Sequence, residues 1–358
     1  MQAHFVTTNF FTELGAVPRL GRLLDPDRDE RTGAEPVVVL SQGLWQRRFG
    51  ADPSVIGKRV ALNGKAVTRT CGSPSWRDPS PHQVRFVTVD SSVRSEVLDW
   101  GGTGRPILFV GCYLTGHVYD NIGPKLTDQF HVYAVTRRGV GASDRPATGY
   151  EPQRRAADIL EVMASVGMQK PILIGNSCGG DILHALGAQH PERLGGLVYL
   201  DAAEDPTLTM SDYDVPPVDR AHLPVHVGKS ATVIFPEAET HQLAERPLDP
   251  TIRKAIVDDN KVRPDYARIR VPVLAIYRTT TLDQALKEYP PKNDQERAAF
   301  NQGFLSGRAM LAKWQRDLIA GVPAARIIEL PGANLFMFLS NEADILREVR
   351  AFAATLNE

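Results

Sequence analysis

Ser177 stands in the string Gly175-Asn176-Ser177-Cys178-Gly179, which follows the apolar run PILI and precedes a helix-forming stretch. Glycines on either side of a serine at this spacing suit a tight strand-to-helix turn that lifts the hydroxyl clear of the backbone, the nucleophile elbow G-x-S-x-G. The chemistry would be acyl transfer, with Ser177 attacking a carbonyl carbon. A serine hydroxyl is almost un-ionised near neutral pH, so that attack needs a base within hydrogen-bond reach. The chain has 9 histidines, and none follows His241. His184 would lie about two turns, roughly 10 Å, along the helix that starts at the elbow, and is expected to pack rather than react. His222 and His226 in HLPVH could suggest a metal, but Pro224 breaks the helix that would put both rings on one face, so no metal site is expected. Cys71, Cys112 and Cys178 neither space like zinc ligands nor make an even disulfide framework, and are read as free thiols.

The elements that must position these residues follow from the apolar pattern. Strand candidates are VRFVTVD (84–90), PILFVG (106–111), HVYAVT (131–136), PILIG (171–175), GLVYLD (196–201), VPVLAIY (271–277) and ARIIEL (325–330). Their near-continuous apolar character suits a mostly parallel sheet covered on both faces. Between two of them, EPQRRAADILEVMASVG puts Ile159, Met163 and Val166 on one helical stripe and stops at Gly167. Alternation of this kind predicts an α/β domain over 76–358. Residues 1–75 read differently: VVVL (37–40), a short helix around SQGLWQRRFG and VIGKRVALNG suggest a small α+β fragment, joined through the Pro- and Ser-rich TCGSPSWRDPSPHQ.

With 42% hydrophobic residues the chain can fill a sizeable core. A net charge of -1, from 41 basic and 42 acidic residues without a long run of either sign, argues against nucleic acid or an anionic membrane as partner. No apolar run approaches the roughly 20 residues that span a bilayer. The start MQAHFVTTNF lacks the features of a secretion signal, so the cytoplasm is the default expectation. Nothing calls for a cofactor.

The elbow, the turn RRGVGASD (137–144), HPERLGGLVYLDAA (190–203) and PGANLFMFLSNEAD (331–344) together resemble the α/β-hydrolase family over roughly residues 84–355. The resemblance implies an α/β-hydrolase fold with a helical lid inserted at about 204–268, in which 237–246 and 251–260 are helix candidates. Tyr213, Val233, Ile234 and Phe235 are candidates to line a pocket beneath that lid. It implies an oxyanion hole from the backbone N–H groups of Cys178 and, on the loop FVGCYLTG, Cys112. These two residues would then be neighbours at the mouth of the site, with a thiol nucleophile or redox link between them the lesser reading beside simple packing. The acid falls on Asp201 at a strand end or, alternatively, on Asp283 in YRTTTLDQ. The position matching the family's histidine holds Leu335. His117, on the same loop as Cys112, is a possible substitute base.

A second resemblance covers residues 5–70. NFFTELGAVPRLGR (9–22), PVVVLSQGLWQRRFG (36–50), DPSVIGKRV (52–60) and LNG (62–64) are similar to part of the periplasmic core domain of MacB-type ABC transporter permeases, without the permease's membrane helices. Two kinds of function are thereby open. One is a serine hydrolase of the esterase type, acting on a small ester or acyl compound and weakened or silenced at Leu335. The other is a non-catalytic protein that binds a small ligand or a partner, or a scaffold working through its N-terminal fragment.

Overall fold

The computed structural model describes residues 80–209, 212, 213, 215, 218–224, 235–259 and 261–356, with Asp78 and isolated positions before it. The chain divides into two compact units, Met1–Asp78 and Pro79–Glu358. In the first, Ala61–Leu62 pairs antiparallel with Lys65–Ala66, on either side of the Asn63-Gly64 turn signal. Apart from isolated positions such as Trp45 and Asp52, the rest of residues 5–70, for which the second resemblance was expected, lies outside the described residues.

The second unit is built on an eight-stranded sheet. Its strands are β1 (Gln83–Val89), β2 (Val93–Gly101), β3 (Pro106–Val110), β4 (His131–Thr136), β5 (Ile172–Asn176), β6 (Gly196–Leu200), β7 (Val273–Thr279) and β8 (Arg326–Pro331). Across the sheet they run β8-β7-β6-β5-β3-β4-β2-β1. From β4 to β8 all neighbours are parallel, while β2 is antiparallel to both β4 and β1. This is the α/β-hydrolase architecture.

β2 is the strand that the apolar pattern fails to reveal. Its sequence VRSEVLDWG carries four charged or hydroxyl side chains, yet all but Arg94 and Gly101 are buried. It joins β1 through a tight turn in which Asp90 (φ 51°) and Ser91 (φ 58°) take the left-handed conformations of a hairpin. Buried Glu96 finds partners, since Ser143 Oγ receives its backbone N–H at 2.9 Å and Thr136 Oγ1 donates to its carboxylate at 2.6 Å, whereas the Ser95 hydroxyl has none.

Along each central strand alternate residues serve different faces. Leu108, Val110, Leu173, Leu197, Tyr199, Val273 and Ala275 join a core completed by the helices α1 (Pro152–Ser165) and α2 (Gly180–Gln189) and by Leu311 and Leu318. Ile107, Phe109, Ile172, Ile174, Val198, Leu200, Leu274 and Ile276 face the other way, onto Val118, Ile122, Met337, Phe338 and Phe352. Both faces are covered, which is why the strands read as unbroken apolar runs.

The insertion carries α3 (Glu237–Glu245) and α4 (Pro250–Asp259). After β7 come α5 (Leu282–Glu288) and the long α6 (Asp294–Gly321), neither evident from the apolar pattern, since α6 buries only Ala299, Ser306, Leu311 and Leu318. The chain closes with α7 (Met337–Ser340) and α8 (Glu342–Ala353). Among the described residues no helix is long and apolar enough to cross a membrane.

Candidate active site

Ser177 follows the carboxyl end of β5, near the middle of the sheet, where ligands of open α/β sheets bind. Its φ is 51°, a left-handed conformation that a non-glycine residue rarely takes and that characterises the elbow. The following residues form a short 3₁₀ turn, Ser177–Gly179, that runs directly into α2. The glycines are needed for close approach. A side chain at 179 would run into the Val110 carbonyl at the end of β3, and one at 180 into the Ala202 carbonyl after β6.

Cys112 and Cys178 are joined by a disulfide, with Cα atoms 4.9 Å apart and 66 positions between them in sequence. The expectation that they are free thiols is therefore corrected; the lesser reading, a link between the two, is the one the fold realises. Spacing along the chain could not show this, because the pairing joins the loop after β3 to the turn after β5, which become neighbours only when those strands lie side by side. Cys112 is 6% exposed and Cys178 half-buried. The disulfide holds together the two backbone segments expected to supply the oxyanion N–H groups.

Arg137, one residue beyond β4, packs against this bridge. Its Nη2 lies 3.6 Å from Cys178 Sγ and 4.0 Å from Cys112 Sγ, and its guanidinium sits over the Tyr113 ring at 5.5 Å. It is 4% exposed, and its Nε and Nη1 have no hydrogen-bond partner. Burial, reinforced by Arg155, pulls its pKa down to about 9. The neighbouring Arg138 is equally buried but fully paired, gripping Asp158 through Nε (2.5 Å) and Nη2 (2.6 Å). Arg137 was not singled out from the sequence, where the RR pair gives no sign that its two members differ.

The acid candidates separate. Asp201 follows β6 directly, in a left-handed conformation (φ 49°). Its Oδ2 accepts from Arg278 Nε at 2.5 Å and its Oδ1 from the Arg278 backbone N–H at 3.3 Å. Burial pushes the carboxyl up, and Arg278 pulls the other way. Asp283 instead lies exposed in the first turn of α5, beside the capping box formed by Thr281 and Gln284.

Leu335 lies on the loop after β8, half-buried. Its carbonyl accepts a hydrogen bond from Asn176 Nδ2 at 2.8 Å, and the same nitrogen donates to the Leu200 carbonyl at 2.9 Å. The residue immediately before Ser177 thus ties the ends of β5 and β6 to the loop that carries Leu335. Phe336 meets Phe235 of the insertion edge to face, ring centroids 5.2 Å apart. Val233 and Ile234 lie outside the described residues, and Tyr213 turns instead to α6, accepting from Trp314 Nε1 at 3.0 Å.

His117 is buried in a polar network. Its Nε2 lies 3.5 Å from Glu96 and its Nδ1 3.4 Å from Asp120, which also takes His82 Nδ1 at 2.8 Å and Trp100 Nε1 at 3.2 Å. Burial alone would lower the imidazole's pKa, but hydrogen bonds and charge from Asp120 and Glu96 outweigh it and raise it to about 10. Protonated between two carboxylates, His117 has no lone pair to accept a proton from serine at neutral pH. One ring nitrogen of His117, one of His82 and one carboxylate oxygen of Asp120 lie within 4.8 Å of one another, a group the sequence spacing does not reveal. His184 is packed as expected: its ring stacks on Tyr199, and burial lowers its pKa to about 3. His222 pairs with Asp219 at 2.7 Å on the surface, and His226 lies outside the described residues.

Glu239 of α3 was missed by sequence reasoning. Fully buried, it accepts from the Thr115 backbone N–H at 3.2 Å and from the Thr115 hydroxyl, and burial raises its pKa to about 7. It pins the insertion to the loop that carries Cys112.

The family profile described as alpha/beta hydrolase fold matches residues 105–246. The chain has the α/β-hydrolase fold. Over 82 residues it is 33% identical to a soluble epoxide hydrolase of Corynebacterium sp. (strain C12), a match covering 23% of this chain and 29% of that protein. Over 101 residues it is 33% identical to the 2-(acetamidomethylene)succinate hydrolase of Mesorhizobium japonicum, covering 28% and 36%. The matched part thus spans well under half of these relatives. The crystal structure of E-2-(acetamidomethylene)succinate hydrolase superposes with a TM-score of 0.54 at 21% identity, over 76% of this chain and 100% of that one.

Proposed function

We propose that the chain is a serine hydrolase of the esterase type that keeps its nucleophile elbow and oxyanion loops but has lost its general base, so that turnover of small esters or acyl compounds is weak or absent. The observation that supports this reading is the hydrogen bond from the Asn176 side chain to the Leu335 carbonyl, which ties the loop after β8 to the residue before Ser177. Leucine cannot take the proton from Ser177. An intact oxyanion hole and substrate pocket alone give roughly 10³ to 10⁴-fold over water in hydrolases deprived of a triad member. The relatives' hydrolase names support the reaction class and leave the substrate open.

A second reading, a pocket kept for binding without catalysis, is favoured by Asp201. Its carboxylate is committed to Arg278 on both oxygens, so the group that would orient a histidine serves an ion pair instead. The N-terminal MacB-like fragment plays no part in either reading.

Hydrolysis of p-nitrophenyl acetate and butyrate by the wild type and by Leu335→His, each blanked with Ser177→Ala, separates the two. Ser177-dependent turnover that appears only with Leu335→His supports the lapsed hydrolase. No turnover in either, with a ligand that raises Tm, supports the binder.

A further inference from the structure

The two cysteines at the oxyanion positions have a chemistry of their own. We infer that Cys112 and Cys178 form a reversible thiol-exchange site, opened by small-molecule thiols of the glutathione class and biased toward the open dithiol by Arg137. This goes beyond ester hydrolysis and holds whether or not Ser177 turns over a substrate.

A buried guanidinium is costly unless an anion or acceptor answers it. Arg137 has Nε and Nη1 unpartnered, and its Nη2 points at two neutral sulfurs, which are weak acceptors. The groups that act on it most strongly are Arg155 of α1, Tyr113 and Tyr119 from the segment after β3, and Asp181 of α2. Arg155 repels Arg137's charge and Asp181 attracts it, and neither gives Nε or Nη1 a hydrogen-bond partner. Reduction supplies the missing partner, since a thiolate 3.6 to 4.0 Å from the guanidinium is an anion where the disulfide offered none. A reduced form stabilised in this way makes the disulfide easier to open.

Access decides which sulfur is attacked. Cys178 is half-buried and Cys112 almost fully buried, so an incoming thiolate bonds to Cys178 Sγ and Cys112 Sγ leaves as a thiolate beside Arg137. A second thiolate then attacks the small-molecule sulfur of the mixed disulfide, releasing the oxidised small-molecule disulfide and the Cys178 thiolate. Two thiols are oxidised and one protein disulfide is reduced. At the intermediate stage the adduct sits on the residue next to Ser177, and in the reduced form the loop after β3 is no longer tethered to the elbow.

The test uses the full chain with Cys71→Ser, so that only this pair contributes thiols. The protein is equilibrated in glutathione buffers from fully oxidised to fully reduced, quenched with acid, and its free thiols counted after denaturation. The expected result is no thiols at the oxidised end, two at the reduced end, and a midpoint in between. Arg137→Met should make the disulfide at least tenfold harder to reduce, about 30 mV for a two-electron couple, and Arg137→Lys should stay near the parent. A pair that never closes, a pair that glutathione cannot open, or an Arg137→Met midpoint equal to the parent's overturns the inference. Should Arg137→Met fail to fold, Cys178 alone in the Cys71→Ser/Cys112→Ser chain gives an independent reading. Its alkylation by iodoacetamide should reach half-maximal rate below the ordinary thiol value of about 8.5, and a midpoint at or above that value overturns the role assigned to Arg137.

Discussion

The end of β5 and the end of β8 are neighbouring parts of the same site, yet they are built under different degrees of constraint. At the first, every position from Gly175 to Gly180 is dictated by its surroundings: the left-handed Ser177, the glycines pressed on the Val110 and Ala202 carbonyls, the disulfide from Cys178 and the Asn176 amide shared between two carbonyls. At the second, the hydrogen bond to the elbow is made by the backbone carbonyl of the half-buried Leu335, whatever side chain that position carries. A loop held by its main chain keeps its position when its side chain changes.

The comparison is tested most severely by restoring the base. Leu335→His should raise Ser177-dependent ester hydrolysis by roughly 10² to 10⁴-fold, the usual worth of a general base, read as kcat/KM against Ser177→Ala. An unchanged rate would show that the β8 loop is not poised for the reaction. The gain should be limited by Arg278, which occupies the Asp201 carboxylate. Adding Arg278→Gln to Leu335→His should give roughly a further tenfold, because an oriented, stabilised imidazolium depends on a free acid. A fall instead would remove Asp201 from the role of acid and turn attention to Asp283.

Stability should show the same asymmetry. Gly179→Ala forces a side chain into the Val110 carbonyl and should cost about 2 to 4 kcal/mol by urea denaturation, whereas Leu335→Ala, with its backbone bond intact, should cost about 1 kcal/mol or less. Equal costs would contradict the contrast between the two ends.

The smallest effect concerns the lid. Glu239, with its carboxyl raised from 4.5 to about 7, holds its proton in the folded state after the unfolded chain has lost it. Its contribution is thus fully present below about pH 4.5 and is lost as pH rises through about 7. His117, raised from 6.5 to about 10, contributes below about pH 6.5 and loses that contribution as pH rises through about 10. Tm measured from pH 4.5 to 7 should fall less steeply with pH in Glu239→Gln than in the wild type, and an identical slope would remove Glu239 from the linkage.

Much of the fold was legible because the central strands are buried on both faces and announce themselves as apolar runs. β4 (HVYAVT) and the lid helices fall where the pattern puts them. β2 escaped because its polar residues break the apolar run, and the Thr136 hydroxyl that meets the buried Glu96 carboxylate is brought to it only by the folded sheet. α6 escaped because a long helix with few buried residues has no strong apolar stripe. Ser177 was expected from its glycines, and Leu335 from the resemblance, as the position matching the family's histidine in a chain with none after His241. His117 looked available as a base because a sequence shows a histidine's type and not its proton.

What the sequence determined by itself is therefore the list of chemical groups: one serine between glycines after an apolar strand, no histidine after His241, and strands apolar enough to bury. These are local properties, set by residue type and by neighbours a few positions away. What the tertiary structure decided is which groups meet: Cys112 with Cys178, Arg137 with their sulfurs, Asp201 with Arg278, His117 with Glu96. Each of those pairs joins different strands or their loops, which become neighbours only in the folded sheet, so no spacing along the chain encodes them.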